Sequence, residues 1–174
     1  MTFVEIPELA VLGQICLVDG SVFPVSIRAE WAKHRKNKKA IKLHLFWNLN
    51  GMIAEHIVIT KAVESEIEVL VSQLKAGVTY VCDRGYVSFA LFKKLCDTQA
   101  FFIIRLKKNN ILEILEESVV KVGFITVRDQ KAFFKNDPNK MEYRLIRFKT
   151  AIGTFKILTN RFDLKTEEII VLYS

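Results

Sequence analysis

Two short apolar runs, each closed by an aspartate, constrain this chain more than any other feature. Ile15-Cys16-Leu17-Val18 lies in the stretch from Gly13 to Val18 and is followed by Asp19-Gly20-Ser21. Val78-Thr79-Tyr80-Val81-Cys82 is followed by Asp83-Arg84-Gly85-Tyr86. Continuous apolar runs of this length suit strands buried on both faces, and Asp-Gly and Asp-Arg-Gly are good turn residues. A helix is expected between the two runs. Ser65 and Glu68 form a capping box, Ile67, Leu70, Val71 and Leu74 share one face, and Gly77 is the stop. A helix between two strands permits a parallel crossover. The strands before Asp19 and Asp83 would then lie side by side and bring the two carboxylates together.

The remaining elements follow from pattern. Ile41 to Trp47 alternates, Asn50-Gly51 marks a turn, and Met52 to Thr60 completes a hairpin. A second helix starts near Ser88, with Leu91, Phe92 and Leu95 inward and Lys93 and Lys94 outward; Asp97 reads as a surface cap near its end. Phe101 to Leu106 is a further strand. Beyond Asn109 a short acidic helix (Ile111 to Glu117) is expected. Strands are then expected at Val119–Val127, Lys131–Phe134, Met141–Phe148 and Phe155–Leu158, with Asp137-Pro138-Asn139 as a turn. Thr166 opens a last helix, with Glu167 and Glu168 at its positive end and Ile169, Ile170 and Leu172 as core contacts. That helix stops at Ser174 after barely two turns, and the expectation is that the polypeptide ends inside an element that once continued.

Charge narrows the class of partner. The 26 Lys plus Arg exceed the 19 Asp plus Glu, and the excess favours polyanions. It is concentrated in Trp31–His44, in Arg105–Lys108 and in Lys140–Arg161, with Trp31, Trp47, Tyr143 and Phe148 nearby. One such run alone is as well read as a solvated loop; several with aromatics suggest a phosphate-binding surface. No apolar stretch approaches a membrane span, and no signal peptide is evident. Cys16, Cys82 and Cys96 make no CxxC pair and read as core hydrophobes in a reducing cytoplasm. His34, His44 and His56 are scattered, with a structural or phosphate-proximal role for His44.

Either aspartate alone is better read as a turn former. The pair, in this strand order and on a basic chain, favours a site for a hard divalent cation, Mg²⁺ or Mn²⁺, which takes oxygen ligands. Two such ions can activate a water and stabilise the leaving oxygen in phosphodiester cleavage.

Several strings occur in order: Asp19-Gly20-Ser21, Ala29–Trp31, Ile41-Lys42-Leu43-His44, Ile59-Thr60, Asp83-Arg84-Gly85-Tyr86, Ser88-Phe89 with Leu91-Phe92, Arg105-Leu106-Lys107, Thr159-Asn160 and Leu172-Tyr173. Together they resemble the catalytic domain of DDE transposases from bacterial insertion sequences, in the branch with a Tyr-Arg-Glu-Lys signature. The resemblance implies an α/β, ribonuclease H-like mixed sheet with a β-rich insertion after the second catalytic Asp. Residues 1–108 would form the core, 109–160 the insertion and 161–174 the start of the C-terminal core helix. It implies Mg²⁺-dependent cleavage at transposon ends and strand transfer into target DNA. Asp19 and Asp83 match the first two catalytic aspartates, and Tyr173 matches the Tyr of the signature. The Arg, catalytic Glu and Lys of the signature would lie beyond Ser174, so a truncated fragment, inactive alone, is expected. Lys36, Lys38, Lys39, Lys42, Arg84, Arg105, Lys107 and Tyr173 are the expected DNA contacts. A bacterial, cytoplasmic, nucleoid-associated location and a homodimer of the full-length protein are implied as well. Two other readings stay open: a non-enzymatic nucleic-acid-binding module, or another two-metal nuclease of the same fold that recruits its third acid locally.

Overall fold

The computed structural model describes residues 12–25 and 39–173. In chain order the elements are β1 (Ile15–Val25), β2 (Lys39–Asn48), β3 (Ile53–Lys61), α1 (Glu66–Ser72), β4 (Thr79–Cys82), a 3₁₀ turn (Arg84–Tyr86), α2 (Phe89–Asp97) and β5 (Phe101–Arg105). The strands β6 (Glu113–Val122), β7 (Ile125–Phe133), β8 (Tyr143–Thr150) and β9 (Gly153–Thr159) follow, then α3 (Thr166–Tyr173). All nine strands join one sheet in the order β3-β2-β1-β4-β5-β9-β8-β7-β6. β1, β4 and β5 are parallel neighbours, and every other pairing is antiparallel.

Helices cover the two faces of this mixed α/β sheet unequally. α1 and α2 contribute Leu70, Leu91, Phe92 and Leu95 to one core, together with Cys16, Val18, Tyr80, Cys82, Phe102 and Ile104. α3 contributes Ile169, Ile170 and Leu172 to the other, together with Ile15, Val81, Ile103, Ile146 and Ile157. Alternate residues of the same strand feed opposite cores, as the two-residue period of a strand requires. That explains why the runs around the aspartates carry no alternation: both of their faces are buried.

Local signals place the helices. Ser65 caps α1 by accepting from the Glu68 amide at 3.4 Å, and Ser88 caps α2 by accepting from the Leu91 amide at 3.5 Å. α1 ends at Ser72, so Leu74 lies past it, and Gly77 (φ 76°) turns the chain into β4. In the β2–β3 hairpin the left-handed residue is Met52 (φ 52°) and not Gly51. Asn48 Oδ1 accepts from the Gly51 amide at 3.0 Å. Asn50 faces β1 instead, accepting from the Ile15 amide at 2.8 Å and donating to the Gly13 carbonyl at 3.0 Å.

Three sequence expectations are corrected. Asp19-Gly20-Ser21 is not a turn: β1 runs through it to Val25, paired with β2 from Cys16↔Asn48 to Val25↔Lys39. Antiparallel ladder bonds override the turn propensity of Asp-Gly. The acidic stretch expected as a helix from Ile111 to Glu117 is instead the edge strand β6. Its acids meet bases across the ribbon, Glu117 with Arg128 at 3.5 Å and Glu113 with Lys135 at 3.4 Å. The span Val119–Val127 is two strands, because Gly123 (φ 57°) reverses the chain between β6 and β7.

α3 is tied to the sheet by a polar hub. Arg144 on β8 donates through Nε and Nη2 to Asp129 on β7, through Nη1 to the carbonyls of Arg161 and Leu164, and through Nη2 to Thr166 Oγ1. Thr166, the first residue of α3, donates to Asp129 Oδ2 at 2.6 Å. Burial alone would raise the Asp129 carboxyl, but the bonds from Arg144 and Thr166 and the Arg144 charge outweigh it, and the net shift is downward. A carboxylate with a depressed folded pKa contributes stability above its unfolded value, lost as pH falls through the folded one. Asp129→Asn is therefore expected to lower stability by about 3 kcal/mol, because Arg144 is left with only 12% of its side chain exposed and no counter-charge. Denaturant titration at pH 7 and at pH values well below the ordinary Asp range checks this: the deficit should shrink as pH falls through the depressed folded pKa, where the wild-type carboxylate becomes protonated.

Candidate active site

The parallel pairing of β1 with β4 runs from Ile15↔Thr79 to Val18↔Cys82. Asp19 and Asp83 are the next residue on each strand. Backbone alternation assigns both to the α3 side of the sheet, since Val18 and Cys82 pack in the α1–α2 core. Asp83 keeps an extended backbone (φ −80°, ψ 178°) as it leaves β4, so the alternation holds through it. Both side chains are exposed. Asp19 Oδ2 accepts from Ser21 Oγ at 3.2 Å, and Asp83 Oδ1 accepts from the Gly85 amide at 2.7 Å, which caps the 3₁₀ turn. Among the described residues neither forms an ion pair with Lys, Arg or His.

The last turn of α3 brings Tyr173 to the same place. Burial raises its phenol, and Arg105, Asp83, Cys82 and Arg84 all lie within electrostatic range of it. Arg105 Cζ stands 4.3 Å above the Phe155 ring. A groove of about 450 Å³ opens beside these groups, lined by Arg105, Phe148, Ile152, Phe155, Ile170 and Tyr173 among others. Tyr86 lies behind the aspartates, 1% exposed, and its hydroxyl has no hydrogen-bond partner among the described residues. Burial, then Cys82, Glu66, Asp19 and Asp83, push its phenol up, so it stays protonated.

The expected DNA contacts divide. Arg84 and Lys107 are exposed and Arg105 is half-buried. Lys36 and Lys38 lie outside the described residues, and Lys39 opens β2. Lys42 is a correction. It is 8% exposed, and its ammonium is bound internally to Glu66 Oε1 at 3.1 Å and to the Glu64 carbonyl at 3.0 Å. The same holds for half of the Lys140–Arg161 stretch. Arg144 forms the hub above, Lys156 donates to the carbonyls of Lys108 and Asn110, and Arg161 is 5% exposed. Arg161 binds the Leu12 carbonyl, Thr79 Oγ1 and Asp163, and lies 4.5 Å over Phe101. Charge runs in sequence do not separate such interior cations from surface ones. His44, expected in a structural or phosphate-proximal role, is 1% exposed with Nε2 2.9 Å from Thr60 Oγ1; burial first, then Lys42, lowers its pKa.

The family model described as Transposase DDE domain matches residues 12–174. The chain belongs to that family. A relative named "Putative transposase y4zB", from Sinorhizobium fredii (strain NBRC 101917 / NGR234), is 25% identical over 166 residues, which is 90% of this chain. The chain spans 47% of that relative's length. No helix among the described residues is long and apolar enough to cross a membrane.

The interior bases of this DDE domain give a direct test. Arg161→Ala is expected to cost about 3 kcal/mol, because the buried Leu12 carbonyl and Thr79 hydroxyl lose their donor. Arg147→Ala and Lys149→Ala, on the same basic stretch, should stay within about 0.5 kcal/mol of wild type in denaturant melts.

Proposed function

We propose that this domain performs the cleavage and strand-transfer chemistry of DNA transposition, with Asp19 and Asp83 as catalytic carboxylates that ligate a divalent cation. The observation that carries the reading is the Val18↔Cys82 register, which leaves two exposed aspartates on one face at the end of adjacent parallel strands. The strand order β3-β2-β1-β4-β5, with β1, β4 and β5 parallel, supports a ribonuclease H-like core, and β6–β9 supply the β-rich insertion. The division at residues 108 and 160 belongs to the same proposal.

The donors fit a hard cation in kind: two carboxylates, with neither an imidazole nor a thiolate among the groups named at that face. Among the described residues no three His, Cys, Asp or Glu side chains converge as a ligand set. Asp19 and Asp83 are the two protein ligands in this reading, and a third acid, expected from the resemblance, belongs to the same proposal. A Mg²⁺ or Mn²⁺ ion held there would supply Lewis-acid activation of the attacking hydroxyl and stabilisation of the leaving oxygen. The chain's own residues orient the DNA. Arg84 follows Asp83 directly, Arg105 follows Ile104, which pairs with Cys82, and both suit phosphate contacts, as does the exposed Lys107; Tyr173 lies within electrostatic range of Asp83. Lys36, Lys38 and Lys39 remain proposed backbone contacts. Asp83 keeps its orientation through the Gly85 amide.

Two carboxylates and water make a weak cation site. Isothermal titration with Mn²⁺ should show weak binding that is lost in Asp83→Ala; equal binding by that variant would place the ion elsewhere. Duplex DNA should bind with little sequence preference. Replacing Arg84, Arg105 and Lys107 by Ala should reduce the slope of log affinity against log salt by about 0.9 for each phosphate contact removed. Tight binding to one sequence, insensitive to salt, would sink this assignment. Joined to a helix that carries the third acid, the domain should nick DNA with Mg²⁺, and Asp19→Asn should abolish that nicking.

A further inference from the structure

The glycines that follow the two aspartates touch the same side chain. A Cβ at Gly20 would lie 3.0 Å from Cδ and 3.1 Å from Oε1 of Glu66. A Cβ at Gly85 would lie 3.6 Å from Oε2 of Glu66 and 2.9 Å from Asp83 Oδ1. The Glu66 carboxylate, at the first residue of α1, is therefore wedged between the strand that carries Asp19 and the turn that carries Asp83. Lys42 holds it there through Oε1 at 3.1 Å, and the Glu64 carbonyl fixes Lys42 in turn at 3.0 Å. Polar groups this far withdrawn from water need partners of this kind.

We propose that Glu66 and Lys42 form a positioning pair that sets the separation and orientation of Asp19 and Asp83. The proposal rests on the reading of those aspartates as cation ligands. The parallel ladder ends at Val18 and Cys82, so backbone pairing no longer couples the two strands where the carboxylates project. Each aspartate is held by one local bond, to Ser21 or to Gly85. Such a bond fixes a side chain against its own backbone and leaves the distance between the two strands undetermined. Glu66 spans that gap. Lys42 also neutralises it: Glu66 Oε2 and Asp83 Oδ1 lie within 4 Å of one point beside Gly85, and without the ammonium Asp83 would face an uncompensated like charge. Glycine at position 20 leaves room for the wedge, and glycine at 85 leaves room for both carboxylates.

The test uses Glu66→Gln, nearly isosteric, and Lys42→Met, which keeps the aliphatic stem. Wild type and Asp83→Ala serve as references. Electron paramagnetic resonance follows Mn²⁺ binding, and amide spectra follow Gly20 and Gly85. In both variants the Gly85 amide proton, held downfield by its 2.7 Å bond to a carboxylate, should move upfield. Mn²⁺ affinity should fall about tenfold, as for outer groups that orient metal ligands. The salt slope of DNA binding should not change, because Lys42 faces the interior. Should Lys42→Met fail to fold, Glu66→Gln carries the test. Wild-type Mn²⁺ affinity in Glu66→Gln, beside a wild type whose binding Asp83→Ala abolishes, overturns the proposal whatever the amides do. A flattened salt slope in Lys42→Met would return that residue to phosphate contact and also overturn it. Mn²⁺ binding that is absent in wild type, or unaffected in Asp83→Ala, refutes the cation reading itself. The Gly20 and Gly85 resonances then decide alone whether Glu66 couples the two segments, and unmoved resonances reject the pair.

Discussion

The four-residue parallel ladder between β1 and β4 is the constraint on which the site depends. A parallel pair sets register through evenly spaced bonds, and side chains alternate strictly along each strand. With Val18 opposite Cys82, the following residues point the same way. A slip of one residue would send Asp83 into the α1–α2 core and leave Asp19 alone on the other side. The register is held by burial on both faces, where Cys16, Val18, Tyr80 and Cys82 fill one core and Ile15 and Val81 the other. Polar ties reinforce it: the Thr79 amide donates to the Gln14 carbonyl at 2.8 Å.

A second layer of order comes from cations turned inward. Arg144 and Arg161 each satisfy several acceptors that lie far apart in sequence, and Lys42 and Lys156 do so on a smaller scale. Arg suits the work because its planar fork offers five donors in fixed directions. Through Arg144 the first turn of α3 is bound to β7 and β8, and this sets the direction in which the helix carries Tyr173 toward Asp83.

Much of this was legible in sequence, for identifiable reasons. The runs before Asp19 and Asp83 read as doubly buried strands because no charged residue interrupts them. Ser65 and Ser88 marked helix starts because an orphan amide needs an acceptor there. Three things were hidden. Asp19-Gly20-Ser21 carries turn propensity that a ten-residue antiparallel partner overrides, and only the fold supplies that partner. Lys42, Arg144 and Arg161 sit in basic runs that look like a surface, yet their acceptors come from residues as distant as Leu12, Thr79 and Asp129. The role of Glu66 had no linear signal either, since its neighbours Gly20, Lys42 and Gly85 come from three other segments.

The acids of β6 bear on how copies of the protein meet. This strand closes one end of the sheet, and an unpaired edge offers its amides and carbonyls to any extended chain that approaches. Here the edge is interrupted by a register shift between Ile114 and Glu116 and carries Glu113, Glu116, Glu117 and Lys121. A second β6 laid alongside would have to bring like carboxylates together across an irregular backbone. Ile114, Leu115 and Val119 are exposed along this edge, and the irregular backbone and charges beside them are of the kind that blunt edge-to-edge pairing.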